Sequence, residues 1–145
     1  MAATDLYERD FYAWAQTQAA LLRDGRLAEL DALHLAQEID DMGSARITEI
    51  ENRLGVLLAH LLKCAYQPDR CSSSWLGTIL EQRNKIARVI RKNPSVKPLL
   101  PEALQEAYDD ALAIVYRDTG IPPDKLPQTC PYRLEEVMDR DFLPS

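Results

Sequence analysis

The residue types best suited to chemistry gather at one corner of the chain, residues 53–83, reading RLGVLLAHLLKCAYQPDRCSSSWLGTILEQR. His60, Lys63, Tyr66, Arg70, Trp75 and Arg83 lie around Pro68 there. His60 and Cys64, four apart on a helix, have metal-ligand spacing. A zinc site needs three or four ligands, and Cys71 would supply only a third. A half-buried histidine beside a small apolar cysteine explains the pair better, so no metal is expected. Ser72, Ser73 and Ser74 could be imagined as a nucleophile beside a His60 base, yet serines ahead of a helix usually cap it. His34 and Glu38, with Asp31 nearby, form a second face of metal-like spacing. No H-x-x-x-H or E-x-x-H elsewhere completes a two-metal bundle site. A Gly-rich phosphate loop and a G-x-S-x-G turn are also missing. No catalytic residue and no cofactor is assigned, and the sequence does not decide whether the chain is an enzyme.

Two charged residues stand out because of the faces they occupy. At about 100° per residue, Leu76, Ile79, Ala87 and Ile90 define the inner face of one helix, and Arg83 falls among them. A guanidinium on an apolar face needs partners, because desolvating it alone costs several kcal/mol. Glu38 is the matching oddity, flanking Leu35 and Met42 on an inner face, and it is expected to pair with Arg83 or Arg53. Arg53 also stands four residues after Glu49, the order that favours an ion pair. Glu38, Arg53, His60 and Arg83 form the candidate polar site, as an internal clamp or as the floor of a pocket. Lys85, Arg88, Arg91 and Lys92 form a candidate basic face on the same helix as Arg83. That face is short and lacks interleaved aromatics, so a solvated surface is expected rather than a nucleic-acid interface.

The elements positioning these residues are helical throughout. Thr4 is an expected N-cap, with Tyr7, Phe11, Trp14, Gln18 and Leu21 following at helical spacing and Gly25 as the stop. A second helix is predicted from about 27 or 31 to 42, burying Leu35, Ile39 and Met42 and closing at Gly43. Ser44 then caps a third over 45–66, with Ile47, Ile50, Leu54, Leu57, Leu58, Leu61 and Ala65 inward; Pro68 ends it. The serine run starts a fourth helix over 75–92, which Asn93-Pro94 terminates. Pro101 opens a fifth that buries Leu104, Tyr108, Ala111, Leu112 and Val115 and stops at Gly120. A Pro-rich crossing, 121–131, leads to a short helix near 133–138. The expected fold is all-α: a single domain, 1–145, forming an up-and-down bundle of about five main helices plus a short C-terminal helix.

Length and composition set the class. The 145 residues suffice for one real core, and 46% hydrophobic with 28% charged residues is ordinary for a soluble globular chain. No secretory signal and no membrane-spanning run is seen. Three cysteines, Cys64, Cys71 and Cys130, lack metal-type pairing and are expected as reduced thiols in the cytoplasm. The net charge of −6 is uneven. Residues 1–41 carry nine acids and three bases, 42–100 four acids and ten bases, and 101–145 ten acids and four bases. Acidic ends packed beside a basic middle would account for this distribution.

Three segments carry a family resemblance. YERDFYAWAQTQAALLRDGRLAELDALHLAQEIDDMG, the 53–83 corner and CPYRLEEVMDRDFLP together resemble the bacterial "domain of unknown function 29" family across nearly the whole chain. Matching positions include Phe11, Trp14, Leu35, Glu38, Ile39, Leu54, His60, Lys63, Pro68, Trp75, Ile79 and Arg83. Cys64 departs where an aromatic is common, and Cys71 where a basic or small polar residue is usual. The resemblance implies a small helical bacterial protein and supplies no activity, substrate or cofactor. From the residues, the leading expectation is a non-enzymatic interaction or regulatory module, either a homodimer or bound to a protein partner. A small-ligand binder or enzyme using Glu38, Arg53, His60 and Arg83 is the alternative. A nucleic-acid-linked regulator using the basic face comes third.

Overall fold

The computed structural model describes residues 3–145, with side chains from Leu6 onward, and every regular element among them is helical. In order these are α1 (Ala3–Arg9), α2 (Phe11–Arg23), α3 (Ala32–Tyr66), α4 (Ser73–Lys92), α5 (Leu100–Thr119) and α6 (Leu134–Met138), with short 3₁₀ turns in the links. No described helix is long and apolar enough to cross a membrane. The chain divides into two compact units, one ending at Ser44 and the other Ala45–Ser145.

In the first unit the expected single N-terminal helix is two. Asp10 leaves helical geometry and its carboxylate accepts the backbone N–H of Ala13, capping α2. The helix before it already includes Thr4, whose side chain lies outside the described residues. Trp14 and Gln18 are buried. They are held from across by Asp31, which accepts the Trp14 indole N–H at 3.0 Å and donates its own backbone N–H to the Gln18 side chain at 2.8 Å.

Gly43 does not stop a helix. α3 runs unbroken through it, so the predicted second and third helices are one. Only Gly25 and Gly120 adopt positive φ among the described residues. A helix-interior glycine costs about 1 kcal/mol relative to alanine, too little to break a helix continued on both sides. Ser44 does not cap; its hydroxyl donates back to the Asp40 carbonyl. Ile39 and Met42, expected inside, are 63% and 69% exposed.

The second unit contains the larger core. Ile50, Leu54, Leu57, Leu58, Leu61 and Leu62 of α3 pack with Ile79 and Ile86 of α4, Ala107, Ala111 and Val115 of α5, and Val137 of α6. Arg53 meets Gln82 while His60 meets Trp75, so α4 runs antiparallel to α3. Gly55 allows α5 close: a Cβ there would lie 3.4 Å from the Asp110 Cβ and 3.5 Å from the Ala107 carbonyl oxygen. The breakers act as expected, Pro68 beyond the end of α3, Asn93 at the C-cap of α4 and Gly120 (φ 78°) closing α5. The buried face of α4 is Ile79, Arg83 and Ile86; Leu76 and Ala87 turn outward, contrary to the angular reading. The Pro-rich crossing is anchored by buried Leu126 and by the Tyr108 hydroxyl, which donates to the Pro127 carbonyl.

Candidate functional site

Arg83 is buried on α4, as its lane required, but its partners are carbonyls rather than a carboxylate. Its Nε donates to Val137 at 2.7 Å, and Nη2 donates to Phe142 at 2.9 Å and to Glu136 at 3.5 Å. Glu136 and Val137 belong to the last turn of α6, where carbonyls run out of partners inside the helix; that of Glu136 also accepts the Asp139 backbone N–H at 3.2 Å. A cation there also meets the negative end of the helix dipole. Burial works against the guanidinium charge and Asp139 favours it. The expected ion pair with Glu38 is thus replaced by a helix C-terminal cap.

Arg53 donates to Glu49 at 3.0 Å, as its spacing predicted, and to Gln82 at 3.3 Å. Glu38 sits in the first unit and accepts the Tyr7 hydroxyl; that bond raises the Tyr7 pKa to about 12. Tyr7 stacks on His34 with centroids 3.9 Å apart, and His34 Nδ1 lies 2.7 Å from the Asp31 carboxylate. Burial opposes the charge on Asp31, yet hydrogen bonds from His34 and Trp14 hold its carboxyl below the usual range. Asp31 and His34 therefore do meet, in a network with Trp14 and Gln18. Of the four candidate residues, Glu38 belongs to this network of the first unit, and Arg53, His60 and Arg83 lie in the second.

The corner of α3 and α4 holds a tighter cluster. Lys63 is 4% exposed, with Nζ 3.0 Å from Asp118 of α5 and 4.4 Å from the centre of the Trp75 ring. The ammonium is thus paired on one side and covered by an aromatic face on the other. His60 stands edge-on to Trp75, and its Nδ1 contacts the Val56 carbonyl at 2.8 Å. A carbonyl only accepts, so Nδ1 carries the proton. Burial, with Lys63 as a lesser cause, lowers the His60 pKa and so favours the neutral ring.

The basic face is partly dismantled. Lys85 is held by Glu81 one turn back. Arg88 and Arg91 have no such partner among the described residues and line a cavity of about 400 Å³ with Arg83, Asn84, Ala87, Met138 and Arg140. On the other side of Arg88 a second cavity, about 380 Å³, is lined by Arg46, Glu49, Val89, Lys92 and Asn93. His60 lines neither.

A family model described as Domain of unknown function DUF29 matches residues 6–143. The chain belongs to that family. No curated protein and no solved structure matches it. The DUF29 match spans both compact units, so the Tyr7–Glu38 network and the Lys63 cluster both lie within the family region.

Two features of this DUF29 chain escaped the sequence. Asp118 carried no signal, because 55 residues separate it from Lys63. The cysteines are not all thiols: Cys64 and Cys71 form a disulfide across the corner, leaving Cys130 free. Seven residues apart around a Pro-marked turn, they are brought within bonding range by the link from α3 to α4. The Cys64 sulfur is consequently unavailable as a thiolate ligand beside His60. Unreduced, denatured DUF29 protein should titrate one thiol, and reduced protein three. Closing so short a loop is worth about 2.5 kcal/mol in the chain-entropy account, and reduction should lower stability by about that amount in a urea melt.

Proposed function

We propose that the protein works by binding another protein through its first unit, and that the partner presents a basic amphipathic helix. The observation that carries this reading is the distribution of exposed apolar side chains. In the first unit Tyr12, Leu27, Leu33, Ile39 and Met42 are each more than half exposed. Among the described residues of the second, more than twice as long, Tyr116 alone among large apolar side chains exceeds half. Exposed apolar surface concentrated in this way marks interaction sites. Ile39 and Met42, three apart, share one side of α3 and offer adjacent apolar anchors.

Charge selects the partner. Up to Ser44 the chain has nine acids and three bases, whereas Ala45–Ser145 has fourteen of each. Two copies meeting through so acidic a unit would repel, while a basic helix would be attracted and oriented. The polar groups of the alternative pocket are already engaged: His60 with Val56, Arg53 with Glu49 and Gln82, Arg83 with three carbonyls.

The test is cross-linked capture from the native host using the wild-type chain and an Ile39→Asp/Met42→Asp variant with an unchanged melting curve. A captured protein with a basic amphipathic helix, whose synthetic peptide binds the wild type and binds the variant at least about tenfold more weakly, supports the proposal. Capture unaffected by the substitutions overturns it. So does light scattering that finds a wild-type dimer and a monomeric variant, since a second copy would then cover the face.

A further inference from the structure

We infer that the cavity beside α4 is an anion site for the phosphate or diphosphate group of a small molecule, with Arg88, Arg91 and Arg140 as its ligands. The site lies wholly in the second unit and does not depend on the protein-binding proposal. Asn84, Ala87, Arg88 and Arg91 are spaced i, i+3, i+4 and i+7, which puts them on one face of α4. Arg140 approaches from the C-terminal segment, so the cavity of about 400 Å³ takes cations from two separate elements.

Three observations distinguish this arrangement from a solvated basic face. Arg88, Arg91 and Arg140 have no carboxylate within ion-pair distance among the described residues, although nearby Lys85 and Arg53 each have one. Like charges three and four apart repel, and Arg88, beside Arg91 and Lys92, makes no ion pair among the described residues to offset that repulsion. The cationic groups also border a concavity, and the C-terminal wall of that concavity is fixed by the bonds from Arg83 to Val137 and Phe142. Asp139, the acid that acts on Arg83, accepts the backbone N–H of Asp141.

Guanidinium groups suit phosphate because they donate two parallel hydrogen bonds to it and keep their charge at any biological pH. The cavity volume lies in the range of small-molecule sites. Its lining contains no aromatic side chain, so it lacks the stacking platform that single-stranded nucleic acid uses. A compact phosphate group fits a lining with the guanidinium groups of Arg88, Arg91 and Arg140 and no stacking surface.

Calorimetric titration of the full chain with inorganic pyrophosphate at low salt tests the site, with ATP and a single-stranded oligonucleotide as parallel arms. Saturable one-to-one pyrophosphate binding is expected, weakened by added salt. Arg88→Gln and Arg140→Gln should each weaken it about tenfold, the loss of a charge-assisted hydrogen bond. Asn84→Asp should do so by adding an anion, while Lys85→Gln should leave binding unchanged. Equal affinity for ATP and pyrophosphate would identify the phosphate group as the whole determinant; tighter ATP binding would identify a nucleotide source. Absence of saturable binding in both arms, equal weakening by Lys85→Gln, or tighter binding of the oligonucleotide would overturn the inference.

Discussion

Replacing Arg83 with leucine should detach the C-terminal segment from α4 and lower global stability by about 2–4 kcal/mol, the cost of leaving buried polar groups without partners. Leucine can fill much of the stem's space but satisfies neither the Val137 nor the Phe142 carbonyl, and Val137 itself is buried. A five-residue α6 cannot persist by its own propensity. Hydrogen exchange should therefore show lost protection in peptides covering residues 134–143, while α3 and α5 keep theirs below the unfolding midpoint. Arg83→Lys should recover only part of the loss, since an ammonium cannot span the two carbonyls as the planar fork does. If the leucine variant kept full protection over 134–143, packing of Val137 alone would hold the segment and the cap would be incidental. The same variant should weaken pyrophosphate binding, because the segment carries Arg140.

The positions legible in the sequence share a physical property: their cause is local. Pro68, Asn93-Pro94, Pro101 and Gly120 restrict or free their own backbone, and each helix end they mark is where expected. The Glu49–Arg53 pair, one turn apart on one helix, was likewise readable. Most of the misreadings depend on neighbours distant in sequence; Gly43 is the local one. Gly43 resembles a stop, but a single glycine cannot interrupt a helix that the turns on either side continue. Ile39 and Met42 continue an apolar stripe with little to cover them. Leu76 and Ala87 fall outside the buried face of α4, and Ile86, which the angular reading did not place inside, joins it, because that face packs into a core shared with α3, α5 and α6.

The candidate site was legible to a similar degree. The apolar lane correctly required Arg83 to be buried and partnered, yet backbone carbonyls 53 to 59 residues away leave no trace in side-chain identity. Glu38 is half-buried, as is Leu35 beside it, but Met42 on its other flank is exposed; its partner is an aromatic hydroxyl, a possibility that charge matching does not consider. Lys63 lies outside the Leu-rich stripe of α3. It is buried because α4 and α5 close over that end of the helix from both sides, through Trp75 and Asp118.

That enclosure makes the pair of Lys63 and Asp118 the second large effect. Asp118→Asn removes the charge opposite an almost wholly buried ammonium and should cost about 2–3 kcal/mol, below the 3–5 kcal/mol of a deeply buried pair because the Asp118 side chain is 31% exposed. Lys63→Met should cost less. It leaves behind a carboxylate that still reaches water and Arg117, and the thioether chain can occupy the space under Trp75. The double variant should be more stable than Asp118→Asn alone, since no buried charge remains to be neutralised. pH supplies an independent reading of the same interaction. Burial pushes the Asp118 pKa up, but hydrogen bonds from Lys63 and Arg117 outweigh it and hold the carboxyl below its ordinary range. A carboxylate with a depressed folded-state pKa stabilises fully above its unfolded value and loses that contribution as pH falls through the folded one. The stability gap between wild type and Asp118→Asn should therefore be constant near neutrality and shrink below about pH 4, the ordinary range of an aspartate. A gap that persisted unchanged into acid would mean that Asp118 contributes through shape rather than charge, and Lys63 would then need another counter-charge.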